Sequence, residues 1–427
     1  MDRRQMIAQR VREYFGERLD DVLHMVRQDR QEFRGWQEPA HVRAAVRQAI
    51  SEGGEPSGNR GSTAVADLEF ARTAAEPDRG QQREATGLLL EVGANGLEKV
   101  ARHAPAEMTA EEVLGLECVL LLYGRPAVLV SDDGSLGSAP PFWNVLEDQR
   151  QEIELAQRGV GRIELLGHPE YDWAGTGILV NDAVLLTSRR VAELFCEQRD
   201  LRWQFRPGIT TWMNYRSRYQ SVSDAGYRVR GVIGVHPAYD VALLEVERPQ
   251  VDGMAPVPLA LAAQAPPDLH GRPVYLVGYP VRDARRSEPE GIARVFRDVY
   301  NVKRVQPGQL RGMLGFHQVQ LLCHDCAPLG QNAGAPVLDF ETHQVLGVQT
   351  TGRYLEQGVC VPLWVLRDDP LLQGAGVTFT QATTPERQAV AEQLERLART
   401  RLWNEARETI GSLYRRAFGP NFPGGRR

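Results

Sequence analysis

Long hydrophobic runs are missing from this sequence. No stretch approaches the ~18 consecutive apolar residues of a membrane-spanning helix, so no such helix is expected. The opening residues Met1-Asp2-Arg3-Arg4 carry neither an apolar core nor a small-residue cleavage site, and no secretory signal is expected. Cysteine is scarce, with five in 427 residues: Cys118, Cys196, Cys323, Cys326 and Cys360. An odd, scattered set without a signal sequence points to reduced thiols in a cytoplasm and argues against a disulfide framework. Cys323-His324-Asp325-Cys326 has the look of half a metal site. No second pair at ligand spacing accompanies it, and the segment reads as the end of a strand, so neither metal nor cofactor is expected. Excess positive charge is also absent. The formal net charge is -5, which speaks against nucleic acid as a partner. Lysine is rare beside arginine, a bias read here as coding preference more than function.

What is present fits a soluble chain of two or more domains, with 42% hydrophobic and 25% charged residues. Val11, Phe15, Leu19, Val22 and Val26 recur at three- and four-residue intervals, one face of an amphipathic helix. Val42, Val46 and Ile50 continue the pattern in a second helix. The stripe can pack against its own domain or serve as an adaptor face for a partner. Residues 1–50 are thus a helical segment, and 51–80, rich in Gly, Ser and Glu, read as a flexible linker. Residues 81–160 form a second helical region with a short hairpin. There Thr109 and Glu112 make a capping box, Ala127–Val130 a strand, and Trp143–Gln157 a further helix.

From Gly161 the texture changes. Short apolar runs punctuated by Gly, Asp and Pro occur at 162–166, 175–180, 184–186, 229–235, 241–246, 274–277 and 345–348. This spacing predicts an all-β sandwich or barrel over 161–372. Helical periodicity returns at 385–420, where Val390, Leu394, Leu397, Ala406, Ile410 and Leu413 share a face. The arginines of that segment lie mostly off the stripe. They form either a basic face for nucleic acid or membrane, or a solvated face balanced by the interspersed glutamates.

The most informative turn is Gly330-Gln331-Asn332-Ala333-Gly334-Ala335-Pro336-Val337, between the strand candidates 319–322 and 344–348. A small, Gly-containing turn between buried strands can aim backbone N–H groups at a ligand. It resembles the G-N-S-G-(S/A)-P-V turn of trypsin-like serine proteases. Three further segments carry that resemblance. Gly175-Thr176-Gly177-Ile178-Leu179-Val180 with Leu185-Leu186-Thr187-Ser188-Arg189-Arg190-Val191-Ala192 is similar to G-T-G-F-L-V…L-L-T-N-x-H-V-A of bacterial members. Tyr239-Asp240-Val241-Ala242-Leu243-Leu244 is similar to D-(I/V)-A-L-L, and Val277-Gly278-Tyr279-Pro280 to the G-Y-P strand. Tyr354 and Val361-Pro362-Leu363 resemble the closing strand. The resemblance implies a mainly β, trypsin-like double barrel carrying a helical N-terminal region and a C-terminal helix, a multi-domain α+β chain of the bacterial cytoplasmic type.

The same resemblance assigns the triad-equivalent positions to Arg190, Asp240 and Ala333, the oxyanion-hole positions to Gln331 and Ala333, and the pocket floor to Ala327. Such a triad needs a nucleophile, a base near neutral pKa and an orienting carboxylate. Only Asp240 answers. Arg190 stays protonated, Ala333 has no oxygen, and Gln331 takes the place of a Gly whose backbone freedom aims the first N–H. Arg190 facing Asp240 predicts a charge-assisted pair at the cleft between the barrels. His236 and His324 could supply a base, or each could be a loop or strand histidine with a backbone partner. The leading expectation is a catalytically inactive homologue that acts as a regulator, scaffold or protease target. Its partner would be a protein, another protease or an effector, in a defence or signalling system. One alternative is a serine endopeptidase disabled by a Ser→Ala change. Another is a platform for a basic helix that binds nucleic acid or membrane.

Overall fold

The computed structural model describes residues 2–33, 79–131, 133–139, 143–200, 202–215, 226–247, 256–280, 302–316, 319–326, 332–353 and 357–380. The helix expected around Val42–Ile50, most of the 51–80 linker, and the 385–420 helix lie outside these residues. The chain divides into two compact units, with the main boundary between Ala127 and Val128. Among the described residues, Val128–Ala139 and those from Trp143 onward cluster with the strands.

The first unit is helical. α1 (Arg3–Phe15) and α2 (Leu19–Phe33) divide the predicted stripe in two, since Gly16 takes φ 51° and ends α1. That conformation is open to glycine at little cost. Val11, Phe15, Val22 and Val26 are all buried, so the stripe packs within its own domain. α3 (Arg79–Ala101) already begins within the residues read as linker, and α4 (Ala110–Val119) opens on the expected capping box. Glu112 N donates to Thr109 Oγ1 (3.2 Å), and Thr109 N donates to Glu112 Oε2 (2.7 Å). The two helices approach at Gly93 and Gly115, where a Cβ on Gly115 would lie 2.3 Å from Gly93 N.

The second unit is a pair of antiparallel barrels. It opens with β1 (Val128–Leu129), α5 (Val145–Asp148) and α6 (Arg150–Ala156). The last two replace the single helix predicted over Trp143–Gln157. The break falls at Gln149, whose side-chain oxygen is 3.1 Å from His343 Nε2. Barrel one is built from β2 (Val160–Leu166), β3 (Trp173–Asn181), β4 (Val184–Thr187), β7 (Thr210–Asn214), β8 (Tyr227–Val235) and β9 (Ala242–Val246), closed in the order β2-β3-β4-β9-β8-β7. Between β4 and β7 come α7 (Arg189–Phe195) and a hairpin, β5 (Cys196–Arg199) with β6 (Arg202–Phe205).

Barrel two comprises β11 (His270–Gly278), β12 (Arg304–Phe316), β13 (Val319–His324), β14 (Pro336–Asp339), β15 (Val345–Arg353) and β16 (Gln357–Pro362). The path β14-β11-β12-β13-β16-β15 closes through the β14–β15 pairing. β10 (Leu261–Ala262) pairs in parallel with β15 on one side and with β17 (Phe379–Thr380) on the other. α8 (Pro370–Gly374) precedes β17.

Alternation explains why the strands read as continuous apolar runs. Leu179, Leu185, Ala242 and Leu244 fill barrel one. Their neighbours Ile178, Val180, Leu186 and Leu243 point the other way, into a cluster shared with Tyr275, Val277, Val345 and Val361 of barrel two. Val274, Leu276, Leu322 and Leu346 fill barrel two itself. Strands buried on both faces need apolar residues at consecutive positions. Each fully buried Leu, Ile or Val contributes about 1.5–3 kcal/mol.

Candidate functional site

Thr187 ends β4, and Ser188 turns the chain into α7 by accepting a hydrogen bond from Val191 N at its Oγ (3.3 Å). Arg189 and Arg190 are the first two residues of that helix. Opposite them, the loop from β8 to β9 is folded around His236. Its Nδ1 accepts from Ala238 N (3.1 Å) and Tyr239 N (2.8 Å). That leaves the ring proton on Nε2, which donates to Asp369 Oδ2 (3.2 Å). Asp369 in turn caps α8 through Leu371 N and Leu372 N. A loop fixed at both ends in this way presents Asp240 to α7.

The contact between Asp240 and Arg190 runs mainly through the backbone. Asp240 Oδ1 accepts from Arg190 N (3.1 Å). The guanidinium Nε stands 3.7 Å from Oδ2, inside ion-pair range but beyond a hydrogen bond. Oδ2 is buried and has no hydrogen-bond partner among the described residues. The Arg190 side chain is 64% exposed and that of Asp240 18%. The pair expected from the sequence is therefore present, but the guanidinium does not make the charge-assisted hydrogen bond that was expected of it.

Ala333 sits in the turn before β14, and main-chain bonds hold it there. Ala333 O accepts from Thr176 N (3.0 Å), Gly334 N donates to Gln349 O (2.8 Å), and Ala335 N donates to Asn332 O (3.0 Å). Gly334 has φ +84°, and a Cβ there would lie 2.1 Å from Thr176 O. Gly175 joins the two halves of the site, since a Cβ on it would meet Val191 Cγ2 at 2.5 Å and Ala333 O at 3.0 Å. The structure thus brings Arg190, Asp240 and Ala333 to one place across the two barrels. Gln331 and Ala327 lie outside the described residues.

Neither histidine can serve here as a base. His236 is committed to its loop and to Asp369. His324 is buried, with Nδ1 accepting from Cys326 N (3.3 Å) and Nε2 at 2.5 Å from Gln349 Oε1. Burial lowers its pKa and keeps it neutral. Thr187 Oγ1 is buried and donates to Thr176 O (2.7 Å). No disulfide joins any of the five buried cysteines. Burial pushes the thiols of Cys118 and Cys196 up to about 12 and raises those of Cys323 and Cys360, so none of these four is a thiolate nucleophile at neutral pH. Among the described residues no group of three or more His, Cys, Asp and Glu side chains could hold a metal ion, and no helix is long and apolar enough to cross a membrane.

One buried network escaped the sequence reading. Lys303 Nζ donates to Gln157 O (3.1 Å), Gln157 Oε1 (3.0 Å) and Tyr215 O (2.7 Å). Arg162 and Lys303 both lie against the Tyr279 ring, at 5.5 and 5.8 Å from its centroid. Arg162 Nη2 and Asn214 Nδ2 both donate to Glu164 Oε1 (2.6 and 2.7 Å). Tyr279 N reaches Thr176 Oγ1 (3.4 Å), tying this network to the site strand β3. Its one outward sign in the sequence was one of only two lysines, with Lys99, in a chain rich in arginine.

Residues 175–348 match the family model of the trypsin-like peptidase domain. Similar solved structures include a serine-to-alanine mutant of Rv3671c from M. tuberculosis in an inactive form. It is 19% identical, the match covers 56% of this chain and 96% of that one, and the TM-score is 0.35. The active form of the Rv3671c protease is likewise 19% identical over 57% of this chain and 91% of that one, with a TM-score of 0.36. No curated protein matches the sequence.

Proposed function

We propose that this trypsin-like double barrel is catalytically inactive and acts by binding a protein, as a regulator, scaffold or protease target. The observation that carries the reading is the make-up of the cleft. Asp240 has under it a backbone N–H and a guanidinium, where a triad needs an imidazole. Ala333 stands at the nucleophile position with no group able to attack. The nearby histidines are engaged in holding loops, so neither stands in for the missing base. On this reading the partner is another protease or an effector in a bacterial defence or signalling assembly, met in the cytoplasm. The helical unit would supply further contacts.

The test is chemical. The full chain should take no label from a fluorophosphonate probe and should hydrolyse neither activated esters nor fluorogenic peptides above background. Covalent labelling at any residue of the barrels would refute inactivity.

A further inference from the structure

We infer that Arg189 and Arg190 make the cleft beside Asp240 a recognition point for a carboxylate side chain of an acidic peptide segment. The inference rests on the non-catalytic binding role proposed above and names the chemistry of its partner. Its first support is charge balance. The first two residues of α7 are arginines, whose guanidinium groups do not deprotonate in proteins, and Asp240 is the carboxylate within ion-pair range of the second. Arg189 makes no ion pair among the described residues, and its buried Nε has no hydrogen bond there. The first turn of α7 holds no acidic residue that could offset them.

Geometry adds a second support. The Arg190 guanidinium comes no nearer to Asp240 than Nε at 3.7 Å, with most of the side chain in solvent. Its planar fork therefore remains open to bidentate pairing, for which a carboxylate has the matching shape. Asp240 sits behind it as a fixed counter-charge, held by the Arg190 N–H and not by the fork.

The experiment uses the full chain and three acetylated, amidated nonapeptide libraries whose fifth position is fixed as Glu, Gln or Lys. Binding is read by affinity selection and fluorescence anisotropy at two ionic strengths. The Glu library should bind at least tenfold more tightly than the Gln library, and the Lys library more weakly still. Arg190→Ala should abolish the Glu preference. Arg190→Lys, which keeps the charge but loses the fork, should retain only part of it. Asp240→Asn should strengthen Glu binding, because it removes the internal competitor for Arg190. Circular dichroism of each variant separates lost binding from lost folding. Equal binding of all three libraries overturns the carboxylate assignment while leaving a binding cleft in place. A phosphoserine library preferred tenfold over Glu overturns it in favour of a phosphate ligand. Binding of no library at all overturns both this inference and the peptide-binding role of the cleft.

Discussion

Removing the Arg190 side chain should cost the fold much less than removing that of Asp240, although the two face each other. A unit pair 3.7 Å apart gains about 1 kcal/mol in water-like surroundings. With the arginine 64% exposed, screening and side-chain entropy reduce that further. Arg190→Ala keeps the backbone N–H and its bond to Oδ1, so the expected loss is ~1 kcal/mol or less. Asp240→Ala removes the acceptor of that bond, and hydrogen bonds to charged groups are worth ~1.5–3 kcal/mol. Urea unfolding followed by fluorescence measures both. With a slope of ~2–3 kcal/mol/M, Asp240→Ala should lower the midpoint by roughly 0.5–1.5 M and Arg190→Ala by roughly 0.5 M or less. At ~1 M salt, where the Debye length falls to ~3 Å, the Arg190 effect should nearly vanish while the Asp240 effect persists. If Arg190→Ala proves as damaging as Asp240→Ala, the guanidinium carries the contact and the backbone account of this site is wrong.

Further outcomes are expected. Arg190→His with Ala333→Ser should remain at background against fluorogenic peptides until Gln331→Gly is added, since one oxyanion donor is worth about 10²–10³ in kcat; robust turnover by the double variant contradicts a long-inactive cleft. Gly334→Ala should destabilise by at least ~2 kcal/mol, because φ +84° suits glycine and the new Cβ would press on Thr176 O; a change under ~0.5 kcal/mol would contradict the tight turn. Burial pushes the Lys303 ammonium down to about 7, against ~10.4 when unfolded. From pH ~7 to ~10 the unfolded chain then holds a proton that the folded chain has released, so stability relative to Lys303→Met should rise by up to ~1.4 kcal/mol per pH unit. A flat difference across that range would show that the three oxygen acceptors keep the ammonium charged.

The sequence disclosed strands where burial on both faces forced consecutive apolar residues, as at 178–180, 184–186 and 242–244. It hid β12, although that strand is the longest of the described residues, because Pro307, Gly308, Gly312 and Gly315 interrupt its pattern. It hid β5 and β6 because their residues are largely polar, and β10 and β17 because each has two residues. Gly16 divided a stripe that periodicity alone joined. At the site, Arg190, Asp240 and Ala333 could be paired in advance because their flanking motifs are side-chain patterns. That Asp240 binds a backbone N–H could not be read, because main-chain donors leave no mark in the choice of residue. The Lys303 network was hidden for the same reason: two of its three acceptors are backbone carbonyls, at Gln157 and Tyr215.

This division between side-chain and main-chain roles also accounts for which position of the site still matches the motif. Ala333 holds its place through its own carbonyl and through the N–H groups of Gly334 and Ala335. Arg190 holds its place through its N–H. At both positions the side chain is dispensable to the fold, and chemistry alone would require a hydroxyl or an imidazole. Asp240 differs, because its carboxylate is the acceptor that joins the β8–β9 loop to the start of α7. On the proposed reading, once hydrolysis is not required, the first two side chains can change without loss of structure while the third cannot. The presence of Asp240 is therefore explained by folding and is no sign of residual catalysis. The same reasoning leaves Arg190 as the one charged group of the three that stability does not need, which makes it the residue to vary first when a ligand is sought.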